Sequence, residues 1–65
     1  MVQGYYAQLI KVLKAHGCTF VRHGKGDHEI WHSPINGRNF TVDRGVMSRH
    51  TANGSLKQAD IDHRL

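Results

Sequence analysis

The sequence predicts an α+β domain of element order α-β-β-β-α, in which a three-stranded antiparallel sheet carries two helices on one face. Three observations predict it. An apolar stripe of helical spacing lies near the start, the periodicity changes to two after Gly17, and Leu56 and Ala59 mark a second helix beyond the last strand.

Tyr6, Leu9, Ile10 and Leu13 fall at i, i+3, i+4 and i+7, so residues 5–16 read as a helix with one apolar face. Gly17 is suited to end it. Lys11 and Lys14 lie off the stripe and read as a solvated face. Residues 18–22 have the β-branched and aromatic content of a strand, closed by His23-Gly24-Lys25-Gly26. A second strand, 28–32, stops at Ser33-Pro34, and Asn36-Gly37 is a strong hairpin signal leading into a third strand at 39–42. Residues 43–48 read as a loop. Thr51 is the expected cap of the second helix, which Gly54 weakens by about 1 kcal/mol relative to alanine, and the polar tail 60–65 is expected to fray.

With 65 residues there is room for one domain, 1–65, and one small core, and a second catalytic domain is excluded. Such a core typically leaves about 3–5 kcal/mol of net stability. The lone cysteine, Cys18, cannot pair within the chain and reads as a small apolar core residue. No apolar run approaches the roughly 20 residues of a membrane span and the start lacks a signal-peptide pattern, so the expected location is cytoplasmic, with no membrane partner. Nine Lys and Arg against five Asp and Glu give a net charge of +4 and a pI near 9.7, which suits an anionic partner.

His28-Glu29-Ile30-Trp31-His32 matches the zinc-protease pattern H-E-x-x-H, which needs a helix to bring both imidazoles to one ion. Between Gly26 and Pro34 the segment is too short for a stable helix. On a strand its histidines stand about 13 Å apart, which excludes a shared zinc. Cys18, His23 and His28 can approach one another across a hairpin but lack a recognised ligand spacing, so no metal site is expected. The Gly24-Lys25-Gly26 turn lacks the phosphate-loop pattern and lies between strands, which excludes nucleotide binding of that kind. His28 then remains as a solvated strand residue, with Arg22, His23 and Lys25 near it in sequence. Alternation places His28, Ile30 and His32 on one face and Glu29 and Trp31 on the other, with either Ile30 or Trp31 as the core residue.

Three segments, Leu13-Lys14-Ala15-His16-Gly17, Gly26-Asp27-His28 and Leu56-Lys57-Gln58-Ala59, occur in the order and spacing of a known family. Over about residues 8–61 the chain resembles the HicA family of bacterial toxin–antitoxin systems. The resemblance implies a double-stranded-RNA-binding-like fold, metal-independent cleavage of mRNA without a cofactor, inhibition of translation, and neutralisation by a HicB-like antitoxin protein. It also assigns the catalytic role to His28. Imidazole suits that role, because it exchanges a proton near neutral pH while RNA supplies its own nucleophile, the 2′-hydroxyl. Lys25 and Arg22, then Arg44 and Arg49, are the candidate RNA-binding cations. Arg49-His50, expected just before the second helix, is a candidate phosphate site. Asp27, Asp43 and Asp60 depart from the family pattern, standing where a small hydroxyl residue, a proline and a glycine are common. Two other readings are a non-catalytic RNA-binding module of the same fold and an interaction protein that acts only through its partner.

Overall fold

A computed structural model describes residues 4–65 and contains α1 (Tyr6–Ala15), β1 (Thr19–His23), β2 (His28–His32), β3 (Asn39–Asp43) and α2 (Arg49–Gln58). The strands form one antiparallel sheet in the order β1-β2-β3. This is the α-β-β-β-α arrangement that the periodicity predicts. Both helices lie on one face of the sheet, and a single cluster of buried side chains, including Leu9, Leu13, Trp31, Phe40, Val42 and Leu56, fills the space between.

The helical stripe buries Leu9 and Leu13 completely and leaves Tyr6 and Ile10 half-buried at its margins. Gly17 stops α1 by taking a φ of +84°, where a side chain would clash. The Cys18 N–H then bonds the Leu13 carbonyl at 2.9 Å and the Gly17 N–H bonds that of Lys14 at 3.0 Å. These paired bonds satisfy carbonyls that the helix end would otherwise orphan. Because Cys18 is used in this closure, β1 starts at Thr19 rather than at residue 18.

The second helix closes in the same way. Ile61 N–H bonds Leu56 O at 3.0 Å and Asp60 N–H bonds Lys57 O at 3.0 Å, with Asp60 at φ +63° where α1 has glycine. This closure draws Ile61 into the core, and the Leu65 N–H donates to Asn53 Oδ1 at 2.8 Å. The tail therefore packs along α2 instead of fraying. Its start also differs from the sequence reading. Ser48 is the cap, in extended conformation, with its Oγ accepting from the Thr51 N–H at 3.4 Å; Arg49 and His50 form the first turn.

Two residues of α2 and its closure are poorly matched to their positions. A Cβ at Gly54 would meet nothing within 4 Å, and Asp60 occupies a conformation that disfavours side chains. Gly54→Ala and Asp60→Gly are each expected to add about 1 kcal/mol, raising Tm by about 4–8 °C. Thermal denaturation followed by circular dichroism checks both, and an unchanged or lower Tm counts against the respective assignment.

The β2–β3 turn has Gly37 at φ +69° and the Asn36 side chain accepting from the Arg38 N–H at 3.0 Å. Ser33, fully buried, donates its hydroxyl to Ala59 O at 2.7 Å, and Asn36 Nδ2 donates to Gln58 O at 3.0 Å. The end of α2 is thereby fixed at the hairpin, and its start lies toward the far end of β3, where the β1–β2 turn also lies.

Candidate functional site

The register of β2 settles which of its faces is covered. Trp31 pairs with Phe40 and Glu29 with Val42, all four buried beneath the helices, whereas His28, Ile30 and His32 lie on the open face. Trp31 is thus the core residue. The two histidines of the H-E-x-x-H match sit four positions apart on this strand, about 13 Å, and the glutamate is on the opposite side, so the zinc geometry is not formed. Cys18 is buried beyond the start of β1, whereas His23 ends that strand. Burial pushes the Cys18 thiol above its ordinary pKa, with a hydrogen bond involving Ser33 acting in the opposite direction.

On β1, Phe20 pairs with Trp31 but Arg22 pairs with Ile30, because a bulge falls between them. In a regular strand residues two apart share a face; here the extra residue, Val21, turns Arg22 onto the open face beside Ile30 and one row from His28. The β1–β2 turn is tight. Gly24 N–H bonds His28 O at 2.8 Å, His28 N–H bonds Lys25 O at 3.2 Å, and Gly26 lies at φ +64°.

Asp27 reaches across to the residue after β3. The Arg44 N–H donates to Asp27 O at 2.9 Å, and Arg44 Nη2 lies 3.4 Å from Asp27 Oδ1. Both side chains are well exposed, so the ion pair contributes about 0–1 kcal/mol; its main effect is to orient Arg44 beside the turn. Asp43, the cross-strand partner of His28, accepts from Gly45 N–H at 2.9 Å. His28, exposed, thus has Lys25 in its own turn, Arg22 one row away on the open face and, after its cross-strand partner Asp43, the residue Arg44 joined to Asp27. The charge of Arg44 also reaches the Tyr6 phenol on the covered side. Arg49 begins α2 at the same end of the molecule. His50 is placed apart from this group, in a groove between α2 and the tail lined also by Asn53, Lys57, His63 and Arg64.

Beneath His28, the adjacent Glu29 is a buried carboxylate only 5% exposed. Tyr6 donates its hydroxyl to Glu29 Oε1 at 2.9 Å and Oε2 at 3.0 Å, and Trp31 donates Nε1–H to Oε1 at 3.0 Å. Sequence reasoning missed this group. The available signal was the alternation itself, since burying Trp31 also places Glu29 under the helices.

The Tyr6 phenol is pushed above its ordinary pKa by burial first, then by its hydrogen bond to Glu29 and the charge of that carboxylate, with Arg44 opposing. A pKa raised in the folded state contributes stability that is complete below the unfolded value, about 10, and is lost as pH rises through the raised folded value. Tyr6→Phe is expected to flatten the fall of Tm above about pH 10, since lysine titration is common to both proteins. Parallel Tm–pH curves in that range would contradict the contact.

A family model described as the HicA toxin of bacterial toxin–antitoxin systems matches residues 6–61. The chain belongs to the HicA toxin family. The HicA match starts at the first residue of α1 and ends at Ile61, the residue whose N–H closes α2, so it spans all five elements. Membership of the HicA family makes the chain the toxin member of a toxin–antitoxin pair and implies a cognate antitoxin. Comparisons with curated proteins and with solved structures give no significant match. Among the described residues no helix is long and apolar enough to cross a membrane.

Proposed function

We propose that this HicA-family toxin is an endoribonuclease, an mRNA interferase that cleaves mRNA with His28 as general acid/base and so inhibits translation. A HicB-like antitoxin neutralises it by covering that site, and the pair acts in the cytoplasm. The observation that carries the reading is the placement of an exposed imidazole on the open sheet face, with Arg22 one row away and Lys25 in the adjoining turn, in a chain of this family.

The chemistry needs only a proton carrier and cations. The neutral His28 ring takes the proton of a 2′-hydroxyl as that oxygen bonds to the neighbouring phosphorus; the bond from phosphorus to the 5′-oxygen breaks, and the leaving oxygen takes a proton from the imidazolium or from water. The products are a 2′,3′-cyclic phosphate and a 5′-hydroxyl, with no change of oxidation state. Arg22 and Lys25 meet the phosphate charge, which grows in the transition state, and Arg44 extends that field. Arg49 at the start of α2, where backbone N–H groups are free, and His50 in its separate groove contact phosphates further along the strand.

Induced expression of the wild type and of His28→Ala in bacteria tests the reading. Growth arrest and mRNA decay with the wild type only are expected. Equal arrest or equal decay overturns it, and RNA that is bound with strong salt dependence yet stays intact would point to a non-catalytic RNA-binding module instead.

A further inference from the structure

The open face of the sheet carries cross-strand rows beyond the one that holds His28. In β2–β3 register they are His28 with Asp43, then Ile30 with Arg22 and Thr41, then His32 with Thr19 and Asn39. Rows on one face recur about every 6.6 Å along β2, close to one nucleotide of an extended strand. In the third row His32 Nδ1 lies 2.9 Å from Asn39 Oδ1. An amide oxygen only accepts, so Nδ1 carries the hydrogen of this contact; the tautomer with its hydrogen on Nδ1 leaves Nε2 as an acceptor, and the Asn39 amide keeps two donors. A fixed acceptor beside a fixed donor pair is what recognition of a base edge requires.

We infer that His32 and Asn39 form a nucleotide subsite two rows from His28, which reads a base of single-stranded RNA laid across the open face and so sets where the chain is cut. The subsite rests on the ribonuclease reading for its place in the reaction. Ile30, half-buried between the two histidine rows, offers the apolar spot for a base face, and Arg22, turned onto this face by the bulge, meets the intervening phosphate. The occupant follows from the composition of the face. Its rows carry one large apolar side chain, Ile30, too little for the apolar centre of a protein interface, and one carboxylate, Asp43, whose Oδ1 already accepts from Gly45. Arg22 offsets its charge, the remaining side chains are hydrogen-bonding, and the face is continuous with His28.

The test is made in the His28→Ala protein, so that RNA is not consumed, with labelled short single-stranded oligomers of A, C and U followed by fluorescence anisotropy. The expected result is a preference among the three RNAs that is lost when either His32→Ala or Asn39→Ala is added, with the preferred RNA bound about tenfold more weakly. Lys14→Ala, on α1 away from this face, serves as the control and should keep the preference. Unchanged affinities in both variants, a uniform weakening that keeps the preference, or no preference in the parent would overturn the subsite. Asn39 is exposed at the start of β3, so its variant keeps the test decisive even if the His32 variant fails to fold. Binding with an intact preference by a wild-type chain that cannot cut RNA would reject the ribonuclease reading while leaving the subsite standing.

Discussion

Replacing His28 by alanine is expected to lower the rate of RNA cleavage about 10²–10⁴-fold, the usual contribution of one positioned proton-transfer group. The loss should fall on kcat, because an exposed imidazole at the start of β2 supplies little ground-state binding beside Arg22, Lys25 and Arg44. Affinity for uncut RNA should stay within about twofold, and stability within about 0.5 kcal/mol, as for a surface position without packing. Single-turnover cleavage of a defined transcript, with RNA affinity and melting measured in parallel, checks all three. Retained cleavage removes His28 from the chemistry. A loss that appears only in affinity makes it a phosphate contact.

The largest expected effect on stability belongs to Glu29. Glu29→Ala removes the acceptor of two hydrogen bonds, one from the Tyr6 hydroxyl shared between both carboxylate oxygens and one from Trp31 Nε1, and leaves a void beside a tryptophan only 4% exposed. Tyr6 is half-buried and regains water, but the indole N–H does not. Hydrogen bonds to a charged group contribute about 1.5–3 kcal/mol each, and a stranded donor costs about 1–3 kcal/mol. A loss of about 3 kcal/mol out of the net stability typical of this size, about 3–5 kcal/mol, leaves about 0–2 kcal/mol, so the variant should be marginally stable and partly unfolded at 37 °C. Glu29→Gln keeps one acceptor oxygen and should lose less. Urea denaturation of the three proteins gives the comparison, and equal midpoints for wild type and Glu29→Ala would show that the buried cluster contributes nothing.

These two residues also show where a sequence is readable. Element types were legible because their signals are periodic: the stripe from Tyr6 to Leu13, the alternation on β2, and Asn36-Gly37 between β2 and β3. Element ends were less so, because the carbonyl and N–H groups at a helix end choose among neighbouring partners. Ser48 and Thr51 both carry a capping hydroxyl, and only the fold decides that Ser48 is the cap. The tail reads as polar, yet Ile61 is drawn inward by the hydrogen bond that ends α2. At the site, His28 is singled out by resemblance, and its cations by their closeness in sequence. The Asp27–Arg44 pair joins residues 17 apart, and Tyr6 and Glu29 are 23 apart. Pairings at such separations depend on sheet register and helix placement, which periodicity alone does not specify.

The bulge at Val21 has a consequence for comparing this chain with its relatives. Phe20 and Arg22 have the parity of neighbours on one face, yet they face opposite ways, so position-by-position alignment of β1 assigns its side chains correctly only when the extra residue is matched as well. A relative that spans these positions as a regular strand of the same length, without the bulge, would direct the arginine under the helices while still aligning it under Arg22, and would need a cation from another strand. The bulge within five residues of sequence thus decides whether an apparently retained arginine is on the open face at all.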